Sequence, residues 1–291
     1  MKGFFKSENI KKQIFYLILI LLLTSLLSYL FIFSILAFNG FPNITNLQSE
    51  ETIFILKIMQ ICYSVGIFIL APLFFIYTTK HIIFKKKIIR QQIILTACTI
   101  IILIPFVNFL ASWNENIIFP EILNSIENWI RYSESKASSI TEAFLKMDTI
   151  YDLIFNIVII ALIPSIGEEL LFRGVIQKLF LNFFNNAHLS VILTAILFSA
   201  IHFQFLGFFP RCFLGIILGY IYIWGSSIYL PIIAHFINNA TAIIIVYLIN
   251  NNQISSNIET IGSNGGGIVL ISFFGSLILL YLLRQISVMK T

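Results

Sequence analysis

The stretch Ile166–Gly174, IGEELLFRG, places two adjacent carboxylates and an arginine inside a chain that is otherwise almost uniformly apolar. Each such group costs about 2.5–3.5 kcal/mol at the centre of a bilayer, so the surroundings decide how much explanation it needs. Of 291 residues, 58% are hydrophobic and only 11% charged, and the mean hydropathy is +0.95. Soluble domains carry roughly a quarter charged residues. The implied fold class is an all-α polytopic integral membrane protein.

Apolar runs long enough to cross about 30 Å of hydrocarbon fall near 13–38, 53–78, 92–112, 150–166, 188–204, 211–226, 229–249 and 267–284. They predict a bundle of about eight transmembrane helices around a buried polar cavity. Four regions follow: an N-terminal three-span region (1–112), an amphipathic surface segment (113–149), a core holding the buried polar residues (150–249), and a loop with the last span (250–291). In the second region Ile122, Ile126, Trp129 and Ile130 recur at helical spacing, which predicts a helix lying on the membrane surface. The first apolar run is too long for a signal-peptide core and lacks a small-residue cleavage pattern, so it is expected to be a retained span. Cys62, Cys98 and Cys212 lie in apolar runs and read as small buried hydrophobes.

Charge sets the expected orientation. Lys2, Lys6, Lys11 and Lys12 precede the first span, Lys80, Lys85, Lys86, Lys87 and Arg90 fill the second loop, and Arg284 and Lys290 follow the last span. Lys/Arg excess marks the cytoplasmic side, which predicts a multi-pass protein with both termini inside. The net charge of +5 is then a matter of topology and argues against nucleic acid as a partner. The abundance of Ile, Asn, Lys and Phe points to a low-GC bacterium, hence to the bacterial cytoplasmic membrane.

Few ionisable residues remain at depth: Glu168, Glu169, Arg173, His202 and His235, with Asn238 and Asn239 beside the last. Intramembrane ionisable groups face the bundle interior and are candidates for function. Residues four apart share a helix face, which stacks Glu169 on Arg173 and turns Glu168 about 100° away. Glu169–Arg173 reads as a buried ion pair. Glu168, left without a local partner, has the character of a general base. Phe198 and His202 are also four apart, so the ring packs over the imidazole; the bland alternative is a core histidine bonded to a backbone carbonyl. His235 and Asn239 align in the same way and could hold an oxyanion, or form an ordinary interhelical hydrogen-bond pair. Taken together, three helices each deliver a polar group of catalytic type, and one water-filled cavity explains three separate costs with a single cause.

Several chemistries have no support. There is no HExxH, no GxGD and no GxSG of the rhomboid type, and no GxxxxGK[ST] phosphate cradle. Water attack assisted by glutamate and histidine survives, with or without a metal.

At these residues the sequence resembles the CPBP family, the CAAX-protease and bacteriocin-processing (abortive infection) intramembrane proteases. That family is marked by EExxxR, FxxxH and HxxxN, which stand here in order as Glu168-Glu169-x-x-x-Arg173, Phe198-x-x-x-His202 and His235-x-x-x-Asn239. The resemblance covers roughly 150–245 and says nothing specific about the N-terminal half. It implies an eight-helix bundle with the site inside the bilayer, 150–249 being its catalytic core. It further implies that Glu168 and His202 activate the hydrolytic water, that His235 with Asn239 stabilises the tetrahedral oxyanion, and that Glu169, Arg173 and Phe198 support them. The implied activity is an intramembrane endopeptidase acting on a peptide or protein in or at the lipid bilayer. For family members, the processing of prenylated CAAX proteins, bacteriocins and signalling peptides is implied; farnesylated substrates suit a bacterium poorly.

A zinc site, if present, would use Glu168, His202 and His235 and leave one position for water. A metal-free mechanism with no cofactor is preferred here, because no carboxylate or carbonyl can be identified behind the histidines. Two rival readings stand: a non-catalytic immunity or scaffold protein of the same fold, and a proton-coupled transporter, for which no paired halves are visible. One conflict remains. Alternating spans put Glu168 near the inner end of its helix and His202 near the outer end of the next, about 21 Å along the helix from His188. Either 167–184 re-enters the membrane as part of a broken or tilted helix, or the span limits lie elsewhere.

Overall fold

The computed structural model describes residues 9–38, 47, 49–80, 83 and 86–288. Lys2, Lys6, His81, Lys85 and Lys290, and with them both chain ends, lie outside these residues. Among the described residues the regular elements are helical. They are α1 (Ile10–Phe38), α2 (Glu50–Thr79), α3 (Arg90–Glu115), α4 (Asn124–Phe144), α5 (Ile150–Phe184), α6 (Ala187–Ala200), α7 (Phe208–Gly225), α8 (Tyr229–Asn250) and α9 (Gly267–Val288). Seven are long and apolar enough to cross a membrane. The exceptions are α4, whose Ile126 and Trp129 are exposed while Ile130 is buried, and α6, whose 14 residues rise only about 21 Å.

The span expected at 150–166 is longer than its apolar run. α5 continues through the charged stretch to Phe184, 35 residues in all. Its start is set by a reciprocal cap: Thr149 N–H donates to Asp152 Oδ2 at 2.9 Å, and Asp152 N–H donates to Thr149 Oγ1 at 3.3 Å. Two π-helical stretches, Ile157–Leu162 and Leu170–Ile176, interrupt it on either side of Glu168 and Glu169. It ends where Asn185 turns left-handed, φ 50°, a conformation asparagine tolerates. Asn186 then caps α6, its Oδ1 accepting from Leu189 N–H at 3.0 Å. The result is a tight antiparallel hairpin of α5 and α6.

Small residues bring α7 against this hairpin. A Cβ added to Gly215 would stand 3.1 Å from Ala195 Cβ, and one on Gly219 would stand 2.9 Å from Val191 Cγ1. This Gly-x-x-x-Gly spacing lets backbones approach closely where lipid supplies no hydrophobic drive between helices. The close approach also exposes two carbonyls to α5: Arg173 Nη2 donates to Gly215 O and Gln177 Nε2 to Gly219 O, each at 3.1 Å. α5 can therefore stay helical through polar residues because neighbouring backbone accepts what those side chains donate.

Candidate active site

The hairpin resolves the depth conflict. From Glu168 to Phe184 the chain descends sixteen helical residues, about 24 Å. From Ala187 to His202 it climbs back fifteen positions, about 22 Å. Glu168 thus lies in the middle of α5, and His202 lies just past the end of the short α6 that folds back along it.

Around Glu168 the polar groups form a connected set. Arg173 Nη1 donates to Glu169 Oε1 at 2.7 Å, and both side chains are fully buried. The same Oε1 accepts from His235 Nδ1 at 2.8 Å. On the other side of the ring, His235 Nε2 lies 3.8 Å from Glu168 Oε2, whose side chain keeps 14% exposure. One imidazole therefore sits between the two adjacent carboxylates. Arg173 donates to that same oxygen, and a proton on Nδ1 of His235 would make it a second donor there.

His202 is oriented by its own helix. Its Nδ1 donates to the Phe198 carbonyl at 2.8 Å, which leaves a lone pair on Nε2. The Phe198 ring joins the two histidines, its centroid 5.3 Å from that of His202 and 5.9 Å from that of His235. The Arg173 guanidinium covers the same ring at 4.8 Å, and Phe172 meets it edge-on at 5.2 Å. Phe198 is thus a spacer that holds two imidazoles and an ion pair at fixed separations.

Asn239 is placed by a proline. In an α-helix the carbonyl of Ile160 would accept from residue 164, but Pro164 has no N–H. Asn239 Nδ2 donates to that carbonyl instead, at 3.3 Å, and Asn239 Oδ1 accepts from Asn238 Nδ2 at 3.1 Å. One N–H of the amide remains. The proline and the amide thus meet at one carbonyl.

Residues that the sequence analysis passed over complete the surroundings. Arg211 acts electrostatically on both Glu168 and His202. Its guanidinium is fixed by three acceptors of the α6–α7 loop: Gln204 Oε1 at 2.8 Å, Gln204 O at 3.0 Å and Gly207 O at 3.0 Å. The loop is tied to α4, where Glu134 Oε1 accepts from Leu206 N–H at 2.8 Å and Trp129 packs on Phe205 at 5.7 Å. Arg211 stands at the edge of an apolar run, where a lone arginine resembles an interface anchor. Gln177, one turn beyond Arg173, and the spacing Gly215–Gly219 were both legible signals.

The ground for preferring a metal-free site does not survive. Both histidines have the partner that sequence could not identify: Glu169 behind His235, and the Phe198 carbonyl behind His202. The full donor set is a different matter. Among the described residues no three His, Cys, Asp or Glu side chains are placed to hold one metal ion, and no step is routed through one.

Fold and site together define a multi-pass membrane bundle enclosing a carboxylate–imidazole centre. Residues 150–241 match the family model described as Rce1-like, type II CAAX prenyl endopeptidase. This segment holds all three motifs, and the family it matches is the one those motifs resemble. The uncharacterised protein YpbD of Bacillus subtilis (strain 168) is 30% identical over 89 residues, 29% of this chain and 42% of that protein. The chain thus spans less than half the length of the curated relative it matches. No solved structure matches the chain.

Proposed function

We propose that the chain is an intramembrane endopeptidase that hydrolyses a peptide bond in a membrane-associated peptide or protein with a water activated by Glu168 and His202. The supporting observation is the approach of His235 Nε2 to Glu168 Oε2, 3.8 Å, between groups delivered by two different helices. Glu168 is the carboxylate of the set that Arg173 does not pair; His202 presents a free Nε2 lone pair. Either group can take a proton from water as its oxygen attacks the scissile carbonyl. The electron pair of the C=O bond moves to oxygen, giving the tetrahedral oxyanion. Asn239 offers its remaining N–H to that oxyanion. His235 can donate from Nε2 only as an imidazolium, since its Nδ1 proton is committed to Glu169. Collapse of the intermediate breaks the C–N bond, and the proton held by Glu168 or His202 passes to the leaving amine.

The test is comparative peptidomics of cells lacking the chain, complemented with wild type or with Glu168→Ala. Peptides that disappear on deletion should return with wild type and stay absent with Glu168→Ala. Full restoration by Glu168→Ala would identify a binding protein of the same fold and overturn the hydrolytic reading.

A further inference from the structure

Away from this site, α2 carries a buried lysine. Lys57 lies two turns inside the N-terminal end of the helix and is 8% exposed. Its Nζ is 5.9 Å from the Phe144 ring centroid and 5.7 Å from that of Phe155. Asp152 attracts it from a distance, but among the described residues its ammonium has neither an ion pair nor a hydrogen bond. A buried charge held by rings alone leaves most of its desolvation cost uncompensated.

Lys57 lines an open cavity of about 770 Å³, together with Glu50, Glu51, Lys146, Asp148 and Asp152. A second groove, about 210 Å³, runs between α1 and α2 and is lined by Ile32, Leu36, Ile55, Ile58 and Met59. Glu51 and Phe54 line both, so a polar cavity and an apolar groove adjoin along α2.

We propose that this composite is a binding site for an aminophospholipid. The phosphate pairs with Lys57, the headgroup ammonium with Glu50 and Glu51, and one acyl chain lies in the α1–α2 groove. Each part of the site selects for a part of the ligand. Lys57 needs an anionic oxygen. The rim carboxylates repel a headgroup that is only anionic and attract one that also carries a cation. The groove offers nothing but CH₂ contacts, which a lipid chain fills and an acidic peptide does not.

Native mass spectrometry of the purified full-length protein in detergent tests this, with phosphatidylethanolamine, phosphatidylglycerol, chainless O-phosphoethanolamine and an acidic peptide as probes. Phosphatidylethanolamine should be retained at least tenfold better by wild type than by Lys57→Met. Ile58→Trp, which fills the groove and leaves the charges in place, should lose retention equally while keeping the lipid-free melting temperature of wild type. It carries the test even if Lys57→Met does not fold. Equal retention by wild type and Ile58→Trp would overturn the proposal. So would phosphatidylglycerol, O-phosphoethanolamine or the acidic peptide binding as tightly as phosphatidylethanolamine.

Discussion

Glu168 and Glu169 are adjacent in the chain yet belong to different electrostatic situations. Glu169 is fully buried and shares one oxygen between Arg173 and His235, whereas Glu168 faces the other edge of the same imidazole at 3.8 Å. Alanine should therefore separate the two. Glu168→Ala removes a carboxylate with no strong partner, so cleavage should vanish while insertion and melting temperature stay near wild type. Glu169→Ala strands Arg173, and breaking a buried pair from one side costs about 3–5 kcal/mol. Its folded yield in detergent should fall sharply. A Glu168→Ala protein that also fails to fold would contradict this division of labour.

Pro164 and Asn239 are expected to act together. Asn239→Ala should slow cleavage about 10²–10³-fold, the scale for one oxyanion donor, with little change in melting temperature. Pro164→Ala restores an N–H that competes for the Ile160 carbonyl, the acceptor that positions Asn239. Its rate should fall by less than that of Asn239→Ala, and the double variant should be no slower than Asn239→Ala alone. Additive losses measured on one peptide would refute the coupling.

Close packing at α7 makes a third prediction. A Cβ on Gly219 meets Val191 Cγ1 at 2.9 Å and Gln177 Oε1 at 3.0 Å, so Gly219→Ala forces α6 and α5 apart together. Overpacking of this kind costs about 1–3 kcal/mol, readable as a lowered thermal midpoint. Gly267→Ala, with nothing within 4 Å of the added atom, serves as the control and should leave the midpoint unchanged.

These residues also mark what could be read from sequence. Composition, apolar runs and the three spaced motifs were legible because each is a local pattern: a period, a spacing or a charge in a greasy run. The length of α5 was not. Hydropathy takes Glu169, Arg173 and Gln177 as the end of a span, yet their partners are His235 and the Gly215 and Gly219 carbonyls, far away in sequence. The same holds for the acceptors behind the histidines. Glu169 reaches His235 across 66 positions, and no periodicity encodes that. The Phe198 carbonyl behind His202 was legible in principle, since it lies four residues back on the same helix.

A metal-free reaction predicts that active protein, purified without chelator, holds less than stoichiometric zinc by plasma mass spectrometry. Dialysis against a chelator should leave both cleavage and melting temperature unchanged. Zinc at one per chain, lost together with activity, would require the three ligands to gather in a way this arrangement does not have.

Arg211 offers the last test, because its charge and its shape can be separated. Its planar guanidinium reaches three acceptors of the α6–α7 loop at once, and that loop includes His202. Lysine keeps a positive charge near Glu168 but is a point donor without the fork. If the charge alone matters, Arg211→Lys should behave as wild type. If the fork holds His202 in place, Arg211→Lys should lower kcat about tenfold, on the scale of catalytic groups displaced by a fraction of an ångström to an ångström. Glu134→Gln, which keeps an oxygen for Leu206 N–H, should retain activity, whereas Glu134→Ala releases the loop from α4 and should reproduce the Arg211→Lys defect. A wild-type kcat in both Arg211→Lys and Glu134→Ala would mean that the loop positions itself and that α4 has no hold on the site.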